Sequence, residues 1–272
     1  MKFVKMQATG NDFILIEATE ERDWSLLAKA MCERHTGVGA DGLILLIPSK
    51  VADLGIRFFN PDGSVAEACG NGLRCLARYG IDRGLVNAEE LAVETPRGIR
   101  RVRALREIIQ VDMGAPQFKA DEIPMLIREK VDIIFDHPIT IGGEKLLLNC
   151  LSMGNPHAVC FLEEPVANFA LFEIGPKVER HPMFPNRVNF EVANVLARNK
   201  VVARVWERGA GETLSCGSGA CAIAVAARLH DRVDSHVDII LLGGTLTVDW
   251  DGVGEVMLSG PAELVFSGEW PD

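Results

Sequence analysis

Hydrophobic residues in this chain arrive in short runs separated by Gly, Asn, Asp and Pro, the pattern of many short strands joined by tight turns. Residues 13–16, 43–47 and 56–59 are three such runs, and Asn60-Pro61-Asp62-Gly63 supplies a turn after the third. Ser25 is placed to cap a helix through about Arg34, with Leu26, Leu27, Ala30 and Met31 on its inner face and Gly37 beyond its end. Gly37-Val38-Gly39 follows that helix and leads into a strand. A dinucleotide fingerprint requires the opposite order, so this GxG carries no nucleotide reading. Residues 92–105 read as a hairpin around Pro96-Arg97-Gly98, and 108–113 as a further strand. The second half continues with strands at 145–152, 158–162 and 201–206, a strand pair around Asn189, and turns at Gly243-Gly244 and Asp251-Gly252.

Two stretches break the strand pattern. From Glu207 the chain runs through a polar, glycine-broken segment to Cys216-Gly217-Ser218-Gly219, then passes without a charge through Ala227. This is a loop becoming the first turn of a helix with a cysteine at its entrance, and a helix apolar on every face is buried inside a domain. Cys69-Gly70-Asn71-Gly72-Leu73-Arg74-Cys75 repeats the arrangement and enters a helical stretch ending near Tyr79-Gly80. Two such entrances, a little over half the chain apart, mark an internal duplication. The glycines let backbone approach a ligand, and the first N–H groups of each helix are free to hold an anion. The same positive end favours thiolate at Cys69 and Cys216.

With 272 residues, 48% hydrophobic and 24% charged, the chain has the content of a soluble globular protein, and the duplication divides it into two domains. Gly114-Ala115-Pro116 is the expected junction. A formal net charge of −10 argues against nucleic-acid binding and against an anionic membrane surface, so an anionic ligand must be held by local donors. No apolar stretch approaches the ~20 residues that span a bilayer. The opening MKFVKMQATGNDF lacks the apolar run of a signal peptide, which makes a cytoplasmic location the expectation. The seven cysteines, an odd number without a secretion signal, read as reduced thiols. Close CxxC or HxxxH pairs are missing, so no metal is expected. Cys32, Cys75, Cys150, Cys160 and Cys221 read as small buried apolar residues.

Two thiols on opposite sides of a carbon acid can do what one cannot. One thiolate removes a proton from one face, the opposite thiol donates one to the other, and configuration inverts. The carbanion's charge passes to the adjacent carboxylate, where two helix amino ends would stabilise it. The scheme demands no cofactor. A pyridoxal enzyme would need a Schiff-base lysine, and neither glycine-rich stretch contains one.

The stretches KMQATGNDF, FFNPDGSVAEACGNGLRC, SMGNPHAV and ERGAGETLSCGSGACA together resemble the diaminopimelate epimerases, in that family's order and over essentially the whole chain. The resemblance implies an α/β protein of α+β type: two pseudo-symmetric domains, each a mostly antiparallel strand layer wrapped around a central helix. The last strand returns to the first domain, giving 1–115 plus 262–272 and 116–261. It implies pyridoxal-independent interconversion of LL- and meso-diaminopimelate in lysine and cell-wall precursor synthesis, by a homodimer. By motif, Cys69 and Cys216 are the acid and base pair. Gly70, Asn71, Gly217 and Ser218 offer donors to the reacting carboxylate. Asn11, Asn60, Asn155 and Asn189 hold the distal end together with Glu207 and Arg208, and His157 and Glu207 adjust the thiols' protonation. A distal amino-acid group needs one anion and one cation, and arginine can engage both carboxylate oxygens. The chain departs from the pattern at Gln7 and Thr9, where His and Leu are frequent, and at Ser218, where Thr is common. Gly42 stands where some members have a substrate-touching glutamine, so that contact is not carried over.

Two rival readings stand beside this one. Proline racemases and hydroxyproline epimerases share the cysteines, but their first is followed by Gly-His-Gly where this chain has Gly-Asn-Gly, and a one-ended substrate would leave Glu207 and Arg208 without partners. A non-catalytic anion-binding or thiol-redox protein would close Cys69 and Cys216 into a disulfide. Taken singly, each Asn in a Gly or Pro turn serves turn geometry, His157 ends a strand, and Glu207-Arg208 is a solvated pair. Only their place in matched motifs raises them above that.

Overall fold

A computed structural model describes residues 1–66, 69–86, 89–127 and 132–271. The chain divides into two compact units, Met1–Asp112 with Ser259–Asp272, and Met113–Leu258.

In the first unit β1 (Lys2–Ala8) and β2 (Asn11–Glu17) form an antiparallel hairpin whose Thr9 and Gly10 both take positive φ. α1 (Trp24–Cys32) is capped by Asp23, whose carboxylate accepts from Leu26 N at 3.0 Å. The cap lies two residues before the expected Ser25, and this turns the inner face round. Trp24, Ala28, Met31 and Cys32 are buried, whereas Leu26 is 65% exposed. β3 (Gly42–Ile47) runs parallel to β2, β4 (Leu54–Phe59) antiparallel to β3, and the short β5 (Val65–Ala66) antiparallel to β4. α2 (Gly70–Asp82) follows. β6 (Glu90–Thr95) lies parallel to β4 and leads through hairpins into β7 (Gly98–Leu105) and β8 (Ile108–Asp112). These strands enclose α2, which packs on β1, β2, β3, β7 and β8.

In the second unit β9 (Ile134–Ile141), β10 (Glu144–Ser152) and β11 (Pro156–Phe161) form an antiparallel meander. After α3 (Leu171–Glu179), β12 (Asn189–Ala197) runs parallel to β11, and β13 (Lys200–Glu207) antiparallel to β12. The short β14 (Gly211–Thr213) pairs back on β13 and delivers the chain into α4 (Gly217–Leu229). β15 (His236–Leu241) is parallel to β13, and β16 (Gly244–Asp249) is antiparallel to β15. From Ala220 to Ala227 α4 is all Ala, Ile, Val and Cys, so its thin cylinder lets β10, β11, β12, β15 and β16 close on every side. β17 (Met257–Pro261) pairs with β8, and β18 (Glu263–Glu269) lies antiparallel to β1, returning the chain end to the first unit.

The two units repeat one plan. From β1 and from β10 the pairings run antiparallel, parallel, antiparallel, parallel, antiparallel, with the long buried helix entering after the same short strand. α3 carries no helix signal in the sequence, because Gly175-Pro176 in its middle reads as a break. Burial of Leu171, Ile174 and Val178 outweighs that, and Gly175 lets the helix sit on the Trp206 indole.

Gly72, in the first turn of α2, is a close-approach position of the same kind: a Cβ there would lie 2.7 Å from Phe58 Cε2 and 3.3 Å from Ile44 Cδ1. Both neighbours are buried and cannot withdraw. Gly72→Ala is therefore expected to destabilise the protein by about 1–3 kcal/mol. Guanidinium unfolding measures this, and an unchanged midpoint would show that Gly72 does not sit against Phe58 and Ile44 as described.

Candidate active site

Cys69 caps α2 with extended backbone (φ −142°, ψ 112°), and its Sγ accepts from Gly72 N at 3.4 Å. Asn11, at the β1–β2 turn, brings its amide oxygen within 3.9 Å of that sulfur and within 3.1 Å of Asn71 Nδ2. The amide is aimed by Asp41, whose Oδ2 accepts from Asn11 Nδ2 at 2.6 Å. Asp41 is held by Arg34, which also pairs with Asp12, and Lys5 reaches Asp12 at 2.6 Å. Burial raises the Asp12 carboxyl, but the hydrogen bonds and charges of Arg34 and Lys5 outweigh it and leave the pKa at about 2. Neither Asp41 nor this charged network was singled out from the sequence. Asn60 spends its Nδ2 on Ser64 Oγ, inside its own turn. Gly70 opens the helix.

Cys216 caps α4 with nearly the same backbone (φ −127°, ψ 113°). Its sulfur lies 3.6 Å from Ser218 Oγ, and Ser218 Oγ accepts from Asn155 Nδ2 at 3.2 Å. Asn155 sits at the β10–β11 turn as Asn11 sits at the β1–β2 turn, each after a glycine of positive φ. His157 contacts Asn155 Oδ1 through Nε2 at 3.0 Å and Glu191 Oε1 through Nδ1 at 2.7 Å. Glu207, at the end of β13, accepts from Thr213 Oγ1 at 2.5 Å and is hydrogen-bonded to Cys216. The structure thus brings Asn155, His157, Glu207, Cys216 and Ser218 into one connected group. Asn189 and Arg208 form a neighbouring pair: Asn189 Oδ1 accepts from Arg208 N at 2.8 Å, while the exposed guanidinium touches Asn186 O at 3.2 Å. The fully buried Glu191 is the member missed from sequence. Its signal was a lone acid inside the apolar run of β12.

The electrostatics at Cys216 run opposite to the sequence expectation of an acidified thiol. Burial pushes it well above the ordinary thiol range, and the Glu207 and Glu191 carboxylates push the same way. The Ser218 hydroxyl and the Gly219 N–H pull it down by less. Glu207 is itself raised by burial, against the hydrogen bonds from Thr213 and Cys216. At neutral pH Cys216 is therefore a thiol, able to donate a proton. None of the seven cysteines is in a disulfide.

The sequence profile of the diaminopimelate epimerase family matches residues 3–119 and 149–265, covering both cysteine caps. The chain is 47% identical to the diaminopimelate epimerase of Moorella thermoacetica over 280 residues, spanning 100% of this chain and 99% of that protein. To the diaminopimelate epimerase of Pelotomaculum thermopropionicum it is 45% identical, again over 280 residues, with the same coverage of both. Among solved structures, a probable proline racemase from Agrobacterium radiobacter K84 with bound carbonate superposes with a TM-score of 0.73 at 14% identity, covering 99% of this chain and 92% of that one. At that identity the likeness concerns the fold alone. Matches through both halves, to relatives of the same length and by the motifs that build both caps, make the chain a member of the diaminopimelate epimerase family.

Proposed function

We propose that Cys69 and Cys216 carry the two proton transfers by which this epimerase interconverts LL- and meso-diaminopimelate. The observation that carries the reading is the repetition of one cap: two cysteines with near-identical backbone angles, each heading a 13-residue helix that opens Gly-x-Gly. One sulfur takes the α-proton as thiolate and the other returns a proton to the opposite face as thiol, with roles exchanged in the reverse direction. The electron pair left on the α-carbon spreads onto the adjacent carboxylate, which the N–H groups at Gly70, Asn71, Gly217 and Ser218 receive. No step requires pyridoxal.

The rest of the substrate is held by Asn11, Asn60, Asn155 and Asn189 with Glu207 and Arg208. The exposed Arg208 guanidinium is suited to two-oxygen capture of the distal carboxylate, and Asn189 supports it from the backbone side. Glu207 and His157 set the protonation at Cys216. The protein works in the cytoplasm as a homodimer. Supporting a second copy, β18 exposes Leu264, Val265 and Phe266 in succession, an apolar edge that a partner would cover. Among the described residues no helix is long and apolar enough to cross a membrane.

Cys69→Ala and Cys216→Ala should each lower epimerisation by about 10²- to 10⁴-fold or more while circular dichroism stays unchanged; turnover near wild type in either would contradict the two-base assignment. Arg208→Lys should raise KM about tenfold or more with little change in kcat, because the paired N–H geometry is lost. An unaltered KM would mean that another group holds the distal end. In Cys69→Ala, alkylation of Cys216 should be slow at about pH 8 and accelerate only above the ordinary thiol value of 9.0. Rapid labelling near neutrality would show that the carboxylates do not hold its proton.

A further inference from the structure

The second unit holds a buried acid and base that the reaction scheme leaves only partly used. His157 on β11 and Glu191 on β12 have fully buried side chains. The duplication supplies an internal comparison. The parallel register that pairs His157 with Asn189 pairs Phe13 with Gly42 in the first unit, so Glu191, two residues on, stands where the first unit has Ile44. Packing agrees, since a Cβ on Gly219 would lie 3.0 Å from Glu191 Oε1 and a Cβ on Gly72 lies against Ile44 Cδ1. Phe13 and Ile44 are as buried as their counterparts. The frame accepts an apolar pair at this place, so packing alone does not call for His and Glu.

The hydrogen inventory shows what the pair does. Asn155 donates through Nδ2 to Ser218, which leaves its Oδ1 facing His157 Nε2. An amide oxygen only accepts, so Nε2 carries a hydrogen. Nδ1 faces a carboxylate oxygen, and that contact needs a hydrogen too. A neutral imidazole beside an ionised carboxylate has one hydrogen for two contacts. The pair therefore holds one more, as imidazolium with carboxylate or imidazole with carboxylic acid, and is neutral in both forms. Glu191 Oε2 is buried with no partner among the described residues. The ionisable groups that face Glu191 are His157, Glu207 on β13, Cys216 at the head of α4 and the buried Cys150 on β10. Only His157 can carry positive charge.

We propose that Glu191 is a positioning residue for Cys216: with His157 it holds one shared proton, and that proton sets the direction of the hydrogen-bond chain through Asn155 and Ser218 to the sulfur. Because Ser218 Oγ accepts from Asn155, its own hydrogen is directed at Cys216 Sγ, the donor a thiolate needs during turnover. Without the shared proton, the one remaining ring hydrogen sits on Nδ1 against the carboxylate. Nε2 then becomes an acceptor, the Asn155 amide turns over, and Ser218 donates to the amide oxygen instead of the sulfur. The proposal rests on Cys216 being a proton-transfer thiol.

In protein labelled with 15N-histidine, His157 is identified by its absence from the His157→Phe spectrum. It should show a hydrogen on Nε2. Glu191→Gln can donate an amide hydrogen to Nδ1, so it should keep Nε2–H and most of the kcat that the double variant loses. The double variant His157→Phe/Glu191→Ile installs the first unit's pair and should lower kcat about ten- to a hundredfold with circular dichroism unchanged. A bare Nε2, a kcat lowered about tenfold or more in Glu191→Gln although it keeps Nε2–H, or full activity in the double variant would overturn the proposal. Should the double variant fail to fold, the spectra and the Gln variant decide alone. Retained α-hydrogen exchange in Cys216→Ala would remove the catalytic reading, while the ring spectra still report the chain's direction, so the two failures are separable.

Discussion

A helix buried along its whole length still begins with backbone N–H groups that no residue of that helix can satisfy, and the protein is built around two such ends. In the middle of a domain those donors must meet a side chain, a ligand or water. The chain meets them with glycine, which leaves the donors open, and with a single sulfur at the cap. In each unit the strand layer around the helix, the tight turn that carries Asn11 or Asn155, and the short strand before the cysteine bring polar groups to the end of that unit's own helix.

The two caps share a backbone and differ in what surrounds the sulfur. At Cys69 an amide oxygen is turned inward, because Asp41 draws the Asn11 amide hydrogens away. At Cys216 the corresponding amide is turned the other way, with its nitrogen toward Ser218 and its oxygen engaged by His157. Carboxylates lie near the second sulfur, whereas neutral amides adjoin the first. An epimerase whose substrates differ at one centre needs equivalent reach on both faces, but it does not need equivalent electrostatics. The duplicated frame repeats the cap, and divergence at a few side chains gives the two sulfurs different electrostatic surroundings.

Much of this could be read along the chain. The cysteine entrances, the apolar runs and the turn residues are local signals, and they led to helices and strands close to those observed. The misses share a physical cause. Asp23 caps α1 ahead of Ser25, since either residue type can do so and only the packing of Trp24 and Ala28 decides the phase. α3 forms across Gly175-Pro176 because a tryptophan far along the chain fills the space above the glycine. The His157–Glu191 contact depends on parallel register between strands 34 residues apart in sequence, which no local pattern encodes. The thiol at Cys216 was read from its helix end, but burial and two acids from other strands outweigh that end.

The return of β18 to β1 bears on how the duplication is written in the chain. β18 lies antiparallel to β1 as β9 lies antiparallel to β10, so the full repeat is β18 followed by β1–β8, and β9 followed by β10–β17. The Met1 ammonium donates to Trp270 O at 2.7 Å, and Trp270 N to Met1 O at the same distance, so the two chain ends are neighbours. Followed as a closed loop, the polypeptide is two complete copies laid head to tail. The chain is that loop cut one strand inside a copy, and the opening strand of one half is supplied by β18, which follows the whole of the other half in sequence.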